Sequence, residues 1–104
     1  MGDDPSDRQL ERRFIERCGE DLLAIETALV ASAPGEGIGP IVHRMAGAAG
    51  MFGHEALGDL AAELDDMIAG GEVPPPAKLR ELAAALRRAL AGDGAAGGRT
   101  GRSY

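Results

Sequence analysis

A histidine followed by regularly spaced glycines is the feature of this sequence that points most directly to chemistry. The stretch HRMAGAAGMFGHEAL covers residues 43–57 and places glycine at Gly47, Gly50 and Gly53. A neutral imidazole has one ring nitrogen with a free lone pair, which makes His43 a candidate nucleophile near neutral pH. Each glycine weakens a helix by about 0.5–1 kcal/mol relative to alanine. The glycines therefore need a reason other than helix formation.

The orientation of His43 follows from the helical pattern of its neighbours. At about 100° per residue, the apolar side chains of this stretch fall in one arc on the side opposite His43. That arc contains Ile41, Val42, Met45, Ala48, Ala49 and Phe52. Gly47 and Gly50 instead fall within about 40° of His43. We therefore predict an exposed imidazole with free space around it, which the backbone of another protein can approach closely.

A second histidine raises the question of a shared metal site. His54 follows His43 by eleven positions, which is about 16 Å along a continuous helix. Two ligands of one metal ion must each lie about 2 Å from it, and Gly53 also interrupts the helix before His54. We therefore expect no shared metal site and place His54 at the start of the next helix, at the edge of a docking surface.

A purely structural interpretation of these residues stays open. Glycines at helical spacing often let two helices pack closely, and a surface histidine needs no function. Cys18 lies on an apolar stripe, so we interpret it as a packing residue rather than a redox thiol. Glu63, Asp65 and Asp66 are interpreted as a solvated acidic face, because their spacing matches no catalytic carboxylate pair.

Four apolar stripes of helical period predict the elements that position this stretch. Asp4–Pro5 is the expected start, a capping acid followed by proline at the first helical position. Gly19 is expected to divide the first stripe into a short helix and a longer one. Breaks follow at APGEGIGP (33–40), Gly53 and GGEVPPP (70–76). Outside the arc described above, the stripes contain Leu10, Phe14, Cys18, Leu22, Ile25 and Leu29; Leu57, Leu60, Ala61, Leu64, Met67 and Ile68; and Leu79, Leu82, Ala83, Leu86 and Leu90.

These elements predict an all-α fold, an antiparallel four-helix bundle with a short N-terminal helix extension. The 104 residues fit a single domain. Residues 1–92 are expected to form the bundle. Residues 93–104 are rich in glycine and lack apolar periodicity, so they are expected to form a flexible tail.

Composition and charge narrow the class of partner. A formal net charge of -6 argues against nucleic acid, whose phosphates require a basic surface. No apolar run approaches the roughly 20 residues of a membrane span, so no membrane contact is expected. The single cysteine excludes an internal disulfide and fits a reducing compartment. We expect a cytoplasmic monomer.

The stretch VHRMAGAAGMFGHEALGDLAAELD (42–65) resembles the signature of histidine-containing phosphotransfer (Hpt) domains. That signature has a histidine, a hydrophobic residue two positions later, often lysine at three, glycine at four and a second glycine near ten. A leucine-rich helix follows. The corresponding residues are His43, Met45, Ala46, Gly47 and Gly53, with the helix through Leu57, Leu60 and Leu64.

The resemblance implies both a fold and a reaction. The fold is a four-helix bundle with the active histidine exposed in the middle of a helix, in agreement with the arc described above. His43 would accept a phosphoryl group from a phospho-aspartate on one receiver domain and pass it to an aspartate on another. The Mg²⁺ that neutralises phosphoryl charge would be bound by the receiver, so no cofactor is expected on this chain.

One position departs from the family pattern. Ala46 stands where lysine is common, and such a lysine would attract the phosphoryl oxygens. Arg44 is the nearest cation in the sequence, but it lies about 100° round the helix from His43. We expect a partner either to contact the following residues or to need the free space beside them: Arg44, Ala46, Gly47, Gly50 and His54.

Three functions stay open at this point. The first is a relay intermediate between response regulator receiver domains, with a hybrid histidine kinase as a further candidate partner. The second is the phosphotransfer domain of a chemotaxis-type kinase, which the segment AGMFG resembles and which a separate ATP-binding domain would phosphorylate. The third is a helical adaptor that binds receivers without transfer. ATP binding or autokinase activity of its own is not expected, because no phosphate-binding glycine loop follows a strand.

Overall fold

The computed structural model describes residues 5–31 and 37–92, and every described element is helical. The helices are α1 (Pro5–Leu29), α2 (Gly39–Ala48), α3 (Glu55–Ala69) and α4 (Pro76–Leu90), with a 3₁₀ turn (Ala49–Phe52) directly after α2. The predicted all-α fold with four main helices is confirmed. The predicted cap at Asp4 and the predicted tail at 93–104 lie outside the described residues. Among the described helices, none combines the length and apolarity that a membrane span requires.

The first helix differs from the sequence prediction. Gly19 does not divide it, and α1 is a single helix of 25 residues, so the predicted short N-terminal helix extension is wrong. The apolar stripe continues across the glycine, with Phe14, Cys18 and Ile25 all buried. Burial of this continuous stripe outweighs the roughly 1 kcal/mol that one glycine costs a helix.

A tight turn at Gly53 joins the 3₁₀ turn to α3, as the sequence predicts. Gly53 has φ 84°, the left-handed conformation that glycine adopts without strain. The chain reverses here, so a residue of α2 lies beside the residue of α3 that is about equally far along the chain from positions 53–54. A Cβ placed on Gly58 would lie 3.4 Å from the Cβ of Ala49, and one on Gly39 would lie 3.6 Å from Cγ2 of Ile68.

The core between the helices is mainly aliphatic, in a chain whose aromatic residues make up only 3% of the sequence. Two aromatic rings border it, with Phe14 of α1 stacked on Phe52 of the 3₁₀ turn at a centroid distance of 5.0 Å. Helix α2 packs mainly on α3, and α1 packs mainly on α4. The buried apolar residues are Phe14, Cys18, Ile25, Ile38, Val42, Met45, Ala49, Leu57, Ala61, Leu64, Leu79, Leu82, Ala83, Ala85, Leu86 and Ala89.

Candidate functional site

The side chain of His43 is 80% exposed on the outer face of α2. Val42, Met45 and Ala49 are buried on the opposite face, so the orientation predicted from helical periodicity is confirmed. The glycines beside His43 border open space. A Cβ placed on Gly47 or on Gly50 would meet no atom of the described residues within 4 Å. These two glycines therefore do not mediate helix packing, and the imidazole is accessible from their side.

Asp65 of α3 holds the imidazole in place. Its Oδ2 lies 3.1 Å from Nδ1 of His43, across the α2–α3 hairpin. Because an ionised carboxylate can only accept, Nδ1 must carry the proton and donate it. The other ring nitrogen, Nε2, then has the lone pair and is the nucleophilic atom. Asp65 therefore selects one tautomer of His43 and limits rotation of its ring.

Sequence analysis missed this role of Asp65 and interpreted the residue only as part of a solvated acidic face. The signal that would have found it is the symmetry of the hairpin about Gly53 and His54. Position 65 lies as far after this turn as position 43 lies before it. Apolar periodicity does not contain this information, because it describes each helix separately.

Arg44 points away from the imidazole and toward α1. Its guanidinium donates to both carboxylate oxygens of Asp21, at 3.0 Å and 3.3 Å. Arg17 approaches the same carboxylate, with Nε 3.9 Å from Oδ1. Burial raises the pKa of the Asp21 carboxyl, while the guanidinium groups of Arg44 and Arg17 act in the opposite direction. Arg44 therefore ties α2 to α1 and is not held beside His43 as a substitute for the missing lysine.

Comparison with known protein families agrees with this geometry. The Hpt domain family matches residues 9–92, a range that includes α2, α3, α4 and most of α1. The chain belongs to the Hpt domain family. Hpt domains are helical bundles that act in histidine phosphotransfer in phosphorelays and interact with the receiver domains of response regulators. Comparisons with curated proteins and with solved structures gave no match.

Ala46 contributes less surface to this Hpt site than expected. Its side chain is partly buried and packs against the core, whereas Gly47 and Gly50 are exposed. Among the residues that the sequence analysis expects a partner to approach, Gly47 and Gly50 are thus the two that leave exposed space beside His43. Arg44 lies toward α1, and Ala46 lies at the edge of the core.

The predicted position of His54 at the edge of a docking surface is wrong. The residue is 4% exposed, and its ring stacks on Phe14 at a centroid distance of 5.3 Å. The left-handed turn at Gly53 redirects the chain, so His54 turns inward instead of continuing round the exposed face of α2. The structure thus separates the two histidines, with one exposed beside α3 and the other buried against α1.

Burial leaves His54 with an unusual environment for an imidazole. Its Nδ1 atom has no hydrogen-bond partner among the described residues. Burial lowers the pKa of His54, and the negative charge of Glu11 opposes this shift. The ring is therefore held neutral by its surroundings and serves packing rather than proton transfer.

We expect the free energy of unfolding to fall as the pH falls below about 6.5, the ordinary pKa of histidine in an unfolded chain. Because the pKa of His54 is lower in the fold, the unfolded chain binds the proton first, and the stability present above pH 6.5 is lost on acidification. Urea unfolding at a series of pH values measures this loss. His54→Phe should keep the ring stack and flatten the curve below about pH 6.5. An unchanged slope in His54→Phe would contradict the assignment.

Cys18 is a packing residue, as the sequence indicates. Its side chain is buried in the core. Burial, aided by the charge of Asp21 and opposed by Arg44, raises the pKa of the thiol to about 11. The thiolate, which is the reactive form of cysteine, is therefore not formed near neutral pH.

Proposed function

We propose that this Hpt domain is a phosphorelay intermediate that accepts a phosphoryl group on Nε2 of His43 and passes it to a receiver domain. One observation carries the proposal: an exposed imidazole has its Nδ1 fixed by a carboxylate and has open glycine positions on its free side. A buried or freely rotating histidine would lack either access or orientation. We further propose a cytoplasmic location, because the lone cysteine fits a reducing compartment.

The proposed step is a displacement at phosphorus. The Nε2 lone pair attacks the phosphorus of an aspartyl phosphate on the donor receiver, a P–N bond forms, and the bond from phosphorus to the aspartyl oxygen breaks. The donor aspartate leaves as a carboxylate with the bonding electron pair. The imidazole becomes positively charged while its proton remains on Nδ1, in the hydrogen bond to Asp65. Transfer to the acceptor receiver is the same displacement in reverse, with its aspartate as the nucleophile.

The charges around His43 bear on which of the two proteins would supply the positive charge for phosphoryl transfer. The group that contacts the imidazole is the carboxylate of Asp65, which stabilises positive charge on the ring but repels phosphoryl oxygens. Arg44 is engaged by Asp21, and Ala46 carries no charge. Most of the positive charge that the transition state needs would therefore come from the partner, including the Mg²⁺ of its acidic pocket.

Asp65→Asn is expected to slow phosphoryl acceptance by His43 about tenfold or more, the usual cost of losing a carboxylate that orients a histidine. The amide can also donate to the imidazole, so the tautomer is no longer fixed and the charge on the ring is no longer compensated. The readout specific to this role is the split between binding and transfer, because the affinity for the receiver should stay close to that of the unchanged protein while the transfer rate falls.

Asp66→Asn is the matched control for that experiment. Asp66 is the next residue on α3 and is exposed, so its replacement removes the same charge from the same helix. Its transfer rate and its affinity for the receiver should stay close to those of the unchanged protein. Equal effects of the two substitutions would show that Asp65 acts only through the general charge of α3.

The function is tested by mixing the protein with a receiver domain charged by acetyl phosphate. We expect phosphate on the protein that is labile to acid, and fragmentation mass spectrometry should locate it on His43. A second arm with a histidine kinase and ATP tests the chemotaxis-type alternative, in which only this arm would label the protein. An adaptor without transfer, which Ala46 in place of lysine favours, would bind the receiver in the first arm and carry no phosphate in either arm.

A further inference from the structure

The hairpin that carries His43 contains a single arginine and no lysine. Between residues 39 and 69, which include α2, the 3₁₀ turn and α3, Arg44 stands against five acidic residues. One of these acids, Asp65, already lies against the imidazole. A phosphoryl group on His43 would add further negative charge to these acidic surroundings. Arg44, the next residue in the chain, is the cation of the hairpin that can compensate this charge.

The ion pair that holds Arg44 in the unmodified protein contributes little net stability. The guanidinium donates to both oxygens of Asp21, at 3.0 Å and 3.3 Å. Burial nevertheless raises the pKa of the Asp21 carboxyl, because the opposing effects of Arg44 and Arg17 do not cancel it. Removing the carboxylate from water thus costs more than the guanidinium groups return. A second anion of higher charge can therefore compete with Asp21 for Arg44.

A second cation beside Asp21 makes the departure of Arg44 possible. Removing the only partner of a buried charge is costly, because the charge is then uncompensated. Here Nε of Arg17 lies 3.9 Å from Oδ1 of the same carboxylate, and the Arg17 side chain is 55% exposed and able to approach further. The side chain of Arg44 is itself 37% exposed. Asp21 would therefore keep a counterion if Arg44 moved away.

The missing side chain at Gly47 leaves an open path from Arg44 to the imidazole. Position 47 lies one helical turn after both His43 and Arg44, at spacings of four and three residues. Side chains of a helix lean toward its N-terminus, so a side chain at position 47 would cover the surface between these two residues. A Cβ there would meet no described atom within 4 Å. Because adjacent Cα atoms are only about 3.8 Å apart, the long arginine side chain can turn to His43 without a change in the backbone.

We propose that phosphorylation of His43 moves the guanidinium of Arg44 from Asp21 to the phosphoryl oxygens, and that Arg17 remains as the counterion of Asp21. The planar donors of arginine suit this contact, in which no covalent bond forms or breaks. The exchange rests on the part of the proposed function that places phosphate on His43. It stabilises the phosphorylated protein after transfer, and it removes the ion pair that joins α2 to α1 in the unmodified protein.

The test uses protein phosphorylated by phosphoramidate, a small donor that needs no receiver. Nε2 of His43 attacks the phosphorus, the P–N bond of the donor breaks, and its protonated amine leaves as ammonia. Phosphorus NMR then follows the titration of the phosphoryl group on the protein. Because a nearby cation favours the dianion, Arg44→Gln should raise the pKa of this phosphoryl group by about one pH unit. Arg44→Lys keeps the charge and should raise it less.

Asp21→Asn tests whether Arg44 is shared between Asp21 and the phosphoryl group. Without the competing carboxylate, Arg44 should contact the phosphoryl group more often, and the phosphoryl pKa should fall below that of the unchanged protein. The same substitution in the Arg44→Gln background should have a much smaller effect, which is the coupling that a double-mutant cycle measures. Equal shifts in the two backgrounds would overturn the proposal, because Arg44 would then act without leaving Asp21.

Arg80→Gln is the matched control, because it removes the same charge from an exposed position on α4. The phosphoryl pKa should stay close to that of the unchanged protein. Equal rises in Arg44→Gln and Arg80→Gln would overturn the proposal, since the phosphoryl group would then respond only to the net charge of the protein. No rise in Arg44→Gln would overturn it directly, and this comparison holds even if Asp21→Asn fails to fold.

The two phosphoryl donors separate the exchange from the proposed function. A phosphoryl pKa that depends on Arg44, in a protein that accepts no phosphate from a charged receiver, would retain the exchange and refute the relay. Acceptance from the receiver, with a phosphoryl pKa that Arg44→Gln leaves unchanged, would retain the relay and refute the exchange. Absence of phosphate on His43 with either donor would refute both.

Discussion

His43→Gln abolishes phosphoryl acceptance and leaves the free energy of unfolding within about 0.5 kcal/mol of the unchanged protein. Both parts of this expected result follow from the position of the side chain. The amide nitrogen of glutamine has no available lone pair, so the nucleophile is lost entirely. The side chain at position 43 is 80% exposed, and the hydrogen bond to Asp65 is at the surface, where it adds little stability. Transfer from a charged receiver and thermal unfolding measure the two parts.

His54→Gln is the matched control, because it removes the other imidazole by the same substitution. The buried ring stacks on Phe14, so we expect a lower melting temperature but retained phosphoryl acceptance below that temperature. The two substitutions should therefore have opposite effects on transfer and on stability. Phosphate on His43→Gln would show that the acceptor is a different residue.

Gly47→Leu and Gly58→Leu should also have opposite effects, since one glycine borders open space and the other borders a neighbouring helix. A Cβ on Gly58 would already lie 3.4 Å from Ala49 and from the backbone nitrogen of Gly50. A leucine there overfills the α2–α3 contact and should cost about 2–3 kcal/mol. This corresponds to a fall in melting temperature of about 10 °C or more in a domain of this size.

At Gly47 the expected result is reversed. Within the part of the chain that the structure describes, no atom lies within 4 Å of a Cβ at this position. Leucine is also a better helix former than glycine, so stability should be unchanged or slightly higher. The leucine would occupy the space beside the imidazole, however, and phosphoryl transfer should slow by about a hundredfold, as expected when the reacting groups are displaced by about 1 Å. Gly47→Ala adds a much smaller side chain, so its rate of phosphoryl transfer should lie between those of the unchanged protein and Gly47→Leu.

Melting temperatures and transfer rates of the same variants decide whether Gly47 provides free space beside His43 or allows close packing of two helices. A large fall in melting temperature for Gly47→Leu would favour the packing interpretation that the sequence leaves open. Full transfer activity in that variant would remove the clearance argument. Gly58→Leu serves as the positive control for a glycine that does mediate helix packing.

The sequence predicts those parts of the fold that depend on one helix at a time. Apolar spacing is a local property, so the stripes locate the four helices and orient His43 correctly. The hydrogen bond between His43 and Asp65 depends on how two helices align, and apolar spacing does not specify this alignment. Sequence reasoning also failed at Gly19, because the burial of a whole stripe outweighed a local propensity.

His54 shows a different limit. A helical projection assigns a direction to each residue only while the helix continues, and the left-handed conformation of Gly53 ends that regularity. Beyond the turn, burial is decided by which surfaces the next helix meets. The sequence contains the turn signal but not the direction in which the next side chain points.

The α2–α3 hairpin also has a consequence for the order in which the protein folds. His43 and Asp65 are separated by 22 positions, whereas Glu26 of α1 meets Arg87 of α4 across 61. The entropy lost on closing a loop increases with its length, and local contacts form faster than distant ones. His43, the proposed acceptor, and Asp65 thus belong to the part of the chain with the lower kinetic cost of assembly. Closure of α1 on α4 can follow and complete the core behind a site that is already aligned.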